Sequence, residues 1–167
     1  MHKTMAKQAR TLSAMSRKSR AITADELRFA RLAGSVRSAG VLEMKSFCHH
    51  GSVSTYQHSI RVAWCAYRIN RKLRLGADES ALVRAGFLHD YFGYDWHHTS
   101  NNKHAINHPQ IAEGRARREF GLTPKEQNFI LAHMWPLPPN RVPKCREAWL
   151  ICLSDKLCAL EETLFMR

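Results

Sequence analysis

The chain has 167 residues, 44% of them hydrophobic and 24% charged, which excludes wholesale disorder and fibrous repeats and gives enough length for a core without disulfides or a structural metal. No apolar run approaches the ~20 residues of a membrane span, and basic Met1–Arg20 lacks the apolar centre of a secretory signal. Five scattered cysteines (Cys48, Cys65, Cys145, Cys152, Cys158) with no C-x-x-C pair speak against a zinc ribbon or disulfide framework and fit reduced thiols in a cytoplasm.

The net charge of +12 is uneven, because residues 1–45 carry ten Lys/Arg against Asp25, Glu26 and Glu43, a balance of +7, and the remainder carries +5. Residues 1–22 are expected to form a basic, partly disordered arm, and residues 23–167 a single helical domain. The arm reads either as a solvated tail or as a contact for nucleic acid or an anionic membrane through counterion release.

Thr23 followed by Asp25 and Glu26 predicts a helix cap, with Leu27, Ala30 and Arg31 in a short helix that Gly34 or Gly40 ends. In GSVSTYQHSIRVAWCAYRINRKLRLG the hydroxyl residues start a helix, Tyr56, Ile60, Ala63 and Tyr67 follow three-to-four spacing, and Gly76 closes it. Asp78 caps the next helix, where Ala81, Leu82, Ala85, Leu88 and His89 share a face. Residues 91–107 lack periodicity and read as a loop. Pro109 suits the first turn of a helix from His108 to Phe120, stopped by Gly121. Thr123-Pro124-Lys125-Glu126 is a capping box opening a helix through His133, and the Pro-rich run after Trp135 breaks it. The last helix starts after Pro143 and carries Trp149, Leu150, Leu153, Leu157, Leu160 and Leu164. No stretch alternates convincingly at period two, so the expected fold class is all-α.

Ten histidines are the informative part of the composition. His58 lies early in the first long helix, His89-Asp90 ends the second, His108 starts the third, His133 ends the fourth, and Asp155 lies midway along the last. Each sits on or beside an apolar face, where an unpaired titratable group costs several kcal/mol. One such histidine is ordinarily a satisfied core residue. Six residues over five consecutive helices instead suggest a metal site built between facing helices. Imidazole and carboxylate without thiolate suit Fe, Mn, Zn, Co or Ni.

The ordered set His58, His89-Asp90, Asp155 resembles the H…HD…D signature of the HD-domain metal-dependent phosphohydrolases. His108-Pro109 and His133 are similar to the two extra ligands of the two-metal subset, such as cyclic-dinucleotide phosphodiesterases, and the closer resemblance is to bacterial HD-domain proteins. EMKSFCHHGSVSTYQHSIRVA, AGFLHDYFGYDWH, NHPQIAEGRARREFGL, HMWPLPP and SDKLCALEE carry it over roughly residues 43–162. The resemblance implies an HD-like bundle of about six to seven helices holding one or two divalent transition ions. One ion would take His58, His89, Asp90 and Asp155, and a second His108 and His133 with Asp90 bridging. If only one binds, His108 and His133 would contact substrate. Such a pair of ions can activate a hydroxide against a phosphoryl group, so the implied function is hydrolysis of a phosphomonoester or phosphodiester, with a nucleotide-type substrate the expected class. Tyr91-Phe92-Gly93-Tyr94 stands where the phosphodiesterases often carry Gly-Lys, which argues against cyclic dinucleotides.

Arg61, three residues after His58, could meet a substrate phosphate or pair with an acid. Lys103 and His104 lie in the loop entering His108, and His104 could protonate a leaving group or ligate the second ion. Lys156 points about 100° round the helix from Asp155 and reads as a salt-bridge former. Asp95, His97 and His98 could orient ligands or line a rim, while Trp135 packs a helix end. His2, His49 and His50 have no periodic or motif support and receive no role. The alternatives are a nucleotide-binding regulatory module without turnover and a nucleic-acid-associated protein using the arm. A di-iron oxygenase reading lacks the Glu-x-x-His pairs such sites favour.

Overall fold

The structure, a computed structural model, describes residues 21–98 and 103–165. The basic arm lies, through Arg20, outside the described residues. Among the described residues seven α-helices carry the fold: α1 (Ala24–Ala33), α2 (Ala39–Glu43), α3 (Thr55–Leu73), α4 (Glu79–Leu88), α5 (His104–Phe120), α6 (Pro124–Ala132) and α7 (Arg146–Phe165). Two short strands, β1 (Cys48–His50) and β2 (Val53–Ser54), pair antiparallel ahead of α3. This small hairpin departs from the expectation of no strand; five residues are too few for alternation to register. Among the described residues no helix is long and apolar enough to cross a membrane.

Local chemistry fixes most helix starts. Thr23, Ser54 and Thr123 each accept from the backbone N–H three residues on, while Glu26, Gln57 and Glu126 reach back to the cap, so two orphan N–H groups are satisfied at each end. Asp78 accepts from Ser80 and Ala81 to open α4. Two boundaries differ from the sequence reading. Helix α3 ends at Leu73 with Arg74 left-handed at φ 53°, because the buried Asn70 side chain binds both the N–H and the carbonyl of Ala77. Helix α5 begins at His104, a turn ahead of Pro109; only one intrahelical N–H is lost to the proline, and the aromatic packing of His104 on Trp96 holds the added turn.

Helix α3 is the central element, packed on α4 and on α7, while α6 bridges α5 and α7. Gly86 allows the α3–α4 approach: a Cβ there would lie 2.6 Å from the Ala63 Cα. One buried cluster gathers Tyr67, Leu88, Tyr91, Phe92 and Ile130, and a second gathers Val62, Leu82, Phe129 and Ile151. The apolar stripe of α7 does not face this core. Leu150 is buried, but Leu153, Leu157, Leu160 and Leu164 are 49%, 46%, 58% and 59% exposed. The inward face instead carries Ala148, Ile151, Cys152, Ser154, Asp155, Cys158 and Glu162, mostly short or acidic side chains that bring the backbone close to α3.

Candidate metal centre

Five helices deliver their histidines and acids to one point. His58 is fixed one turn into α3 by the Ser54–Gln57 box. His89 and His133 occupy the carboxyl-terminal caps of α4 and α6, and their Nδ1 atoms donate to the carbonyls three residues back, Gly86 at 2.8 Å and Ile130 at 2.7 Å. His108 Nδ1 donates in the same way to the His104 carbonyl at 3.0 Å. His58 Nδ1 lies 2.8 Å from Glu162 Oε2. Every one of these rings is held at Nδ1, which turns Nε2 toward the common centre.

The centre is buried and charged. Asp155 Oδ1 lies 3.1 Å from His58 Nε2 and 3.6 Å from His89 Nε2. Asp90 spans the cluster: its Oδ2 faces His89 at 3.4 Å and His58 at 3.9 Å, and its Oδ1 faces His108 at 3.3 Å and His133 at 3.6 Å. Among the described residues three donor sets have atoms mutually within 4.8 Å: His49/His58/Asp90, His58/His89/Asp155 and His89/Asp90/His133.

Burial would raise the Asp90 carboxyl, but the charge of His89 and the contact with His108 hold it well below the usual carboxylate range. Asp155 is likewise held low against burial by His58 and His89. Burial would depress His89, yet Asp90 and Asp155 push it well above the usual imidazole value. His58 is raised against burial by Asp155 and Glu162. His133 goes the other way, down to about 3, through burial and repulsion from His89 and His108.

These donors fit a cation. His108 Nε2 and His133 Nε2 stand 2.9 Å apart, and both rings already carry their proton on Nδ1. With both Nδ1 protons so committed, the two Nε2 atoms can approach this closely only with a positive charge, a proton or a metal ion, between or beside them. His89 Nε2 and Asp90 Oδ1 are buried and make no hydrogen bond among the described residues, a cost of about 1–3 kcal/mol each without a partner. Imidazole and carboxylate donors alone suit a divalent transition ion.

Above the cluster opens a cavity of about 590 Å³, whose floor is Asp90, His108, His133 and Asp155 and whose walls include Trp96, Met134, Pro136 and Leu137. His104 lines it, stacked on Trp96 with ring centroids 5.1 Å apart and 2.8 Å through Nδ1 from the Tyr94 hydroxyl. Burial and the neighbouring His108 bring His104 down to about 4, so it is neutral at pH 7.

The structure thus brings His58, His89, Asp90, His108, His133 and Asp155 together, with His104 on the cavity wall. It places the other expected residues elsewhere. Arg61 forms ion pairs with Glu161 and Glu162 at 2.6 and 2.9 Å and lines a separate groove between α3 and α7 with Cys65 and Leu157. Lys103 is an exposed residue at the amino-terminal cap of α5 and is not on the cavity wall. Asp95 pairs with His97 and His98 away from the cavity, and Trp135 packs edge-on against Trp149. Lys156, read as a salt-bridge former, instead lines the cavity and donates to the His133 carbonyl at 3.0 Å.

Sequence reasoning passed over three residues. Glu162 is fully buried and orients His58; its position seven residues after Asp155 puts it on the same face two turns on, a signal that was available. His49 and His50 reach the cavity from the hairpin, and no periodicity marks a two-strand element of this size. The model of the HD domain family matches residues 55–160. No match to a curated protein or to a solved structure was found.

Proposed function

The chain belongs to the HD-domain family, the metal-dependent phosphohydrolase superfamily, and from that premise we propose that it hydrolyses a phosphomonoester or phosphodiester of nucleotide type. In this reading His58, His89, Asp90 and Asp155 hold one divalent ion, and His108, His133 and Asp90 a second. Bound there, the ions supply Lewis acidity that activates water and offsets charge on phosphoryl oxygens. The approach of His108 Nε2 to His133 Nε2, 2.9 Å apart with both Nδ1 atoms donating to backbone carbonyls, is the observation that supports it.

The chain's own groups divide the remaining work. Asp90 presents one oxygen to each half of the cluster and is the residue on which both halves depend. Lys156 holds a cation at the cavity wall, where it attracts a phosphate. His104, neutral at pH 7 and on the same wall, accepts a proton from the attacking side or hydrogen-bonds the substrate. The apolar strip of Trp96, Pro136 and Leu137 beside the polar floor suits a flat base, which supports a nucleotide-type substrate.

Freshly purified protein is expected to contain one or two transition ions per chain and to hydrolyse a chromogenic aryl phosphate monoester or diester. Asp90→Ala should lose the ions and at least about a hundredfold in turnover, the scale of losing one electrostatic stabiliser. Wild-type protein that retains no ion and hydrolyses neither ester after Mn²⁺ or Fe²⁺ addition overturns the proposal.

A further inference from the structure

His49 belongs to no helix and to none of the spacings that mark the six residues above, yet it is 9% exposed and reaches the same centre. Its Nε2 lies 3.6 Å from Asp90 Oδ2, and its ring centroid is 4.0 Å from that of His58. Its Nδ1 is buried and makes no hydrogen bond among the described residues. One ring nitrogen of His49 lies with donor atoms of His58 and Asp90 in a set mutually within 4.8 Å, close enough to share one ion.

The hairpin explains how it gets there. Cys48 pairs with Ser54 and His50 with Val53, so β1 advances two residues while β2 advances one. His49 is the extra residue of a β-bulge, a device that turns a side chain out of the ladder toward a site. Gly51, at φ 55°, and the Cys48 thiol donating to its carbonyl close the turn and hold the bulge in place.

We infer that His49 is a further ligand to the ion held by His58 and Asp90. The inference rests on reading the cluster as a cation site, and it deepens that reading by adding a ligand. His49 shares a donor set with His58 and Asp90, so it would add one imidazole to the protein ligands around that ion. An added imidazole would favour the higher coordination numbers open to Mn, Fe, Co or Ni over the four-coordinate geometry of structural zinc.

The test titrates Co²⁺ into metal-free full-length protein against a competing chelator and records visible absorption alongside. His49→Ala is expected to weaken the ion by at least about tenfold, the lower end of what perturbing a ligand's surroundings costs, and to intensify the absorption as the coordination number falls. His98→Ala, whose side chain is 83% exposed, controls for adventitious surface binding. An affinity within about twofold of wild type overturns the assignment, as does a weakened affinity with an unchanged spectrum, the behaviour of a merely structural residue. If Asp90→Ala binds Co²⁺ as wild type does, the cation reading itself falls. If Asp90→Ala loses the ion and His49→Ala keeps it, only the His49 assignment falls. A thermal midpoint of metal-free His49→Ala equal to that of metal-free wild type shows that the variant is folded.

Discussion

Three of the clustered imidazoles are anchored on backbone carbonyls and cannot be loosened by a side-chain change at the anchor. His58 alone is anchored on a side chain, Glu162, which in turn is paired with Arg61 at 2.9 Å. The residue expected from sequence to meet substrate therefore acts two steps back: Arg61 steadies Glu162, and Glu162 steadies His58. Glu162→Gln should weaken metal binding by about 10–100-fold, as outer-ring changes do, with Arg61→Ala weaker in the same direction because Arg61 is partly exposed and screened. Chelator competition measures both; equal affinity in Glu162→Gln and wild type would show that the carboxylate has no hold on the ion. At this scale the sequence was legible where a titratable residue fell on an apolar helix face, as with His58, His108 and Asp155. It was opaque for His49, whose inward aim comes from a bulge, and misleading for Lys156, whose flexible stem carries the amine back over a wall that its Cβ direction leaves.

At the scale of elements, capping chemistry was readable because it is local: Thr23, Asp78 and Thr123 cap where their side-chain oxygens predict. Thr123→Ala should cost about 1 kcal/mol of stability through the lost cap, seen as a lower urea midpoint with an unchanged slope. The orientation of α7 was not readable, because its longest leucine stripe faces outward while small residues and acids face α3. Close approach, not apolar length, decides which face packs there. The same holds between α3 and α4, where the Gly86 site is filled by Ala63. Gly86→Ala must push the two helices apart, at a cost of about 1–3 kcal/mol. Because His58 rides on one helix and His89 on the cap of the other, it should also lower metal affinity. A Gly86→Ala protein that is destabilised but binds metal as wild type does would show that the cluster tolerates a shift between these helices.

Over the whole molecule, the buried cluster makes stability depend on pH in a way the ion should reverse. In the metal-free protein His58 and His89 bind protons more tightly than in the unfolded chain. Their contribution is complete below the unfolded value of about 6.5 and is lost as pH rises through their raised values. His133, at about 3, and His104, at about 4, refuse protons that the unfolded chain takes up, so stability also declines as pH falls from about 6.5 toward 4. Asp90 and Asp155, held low, contribute above the unfolded carboxylate value of about 3.9 and extend the acid loss below it. The metal-free protein should therefore be most stable near pH 6.5. A bound ion displaces the protons of His58 and His89, since ligands coordinate only when deprotonated. The alkaline decline should then vanish, while the acid decline steepens as protons compete for the donors. Thermal midpoints between pH 4 and 9, with and without a chelator, read this directly. A metal-free profile that is flat above pH 6.5 would mean that His89 and His58 are neutral without the ion, and that the carboxylates draw no proton into the empty cluster.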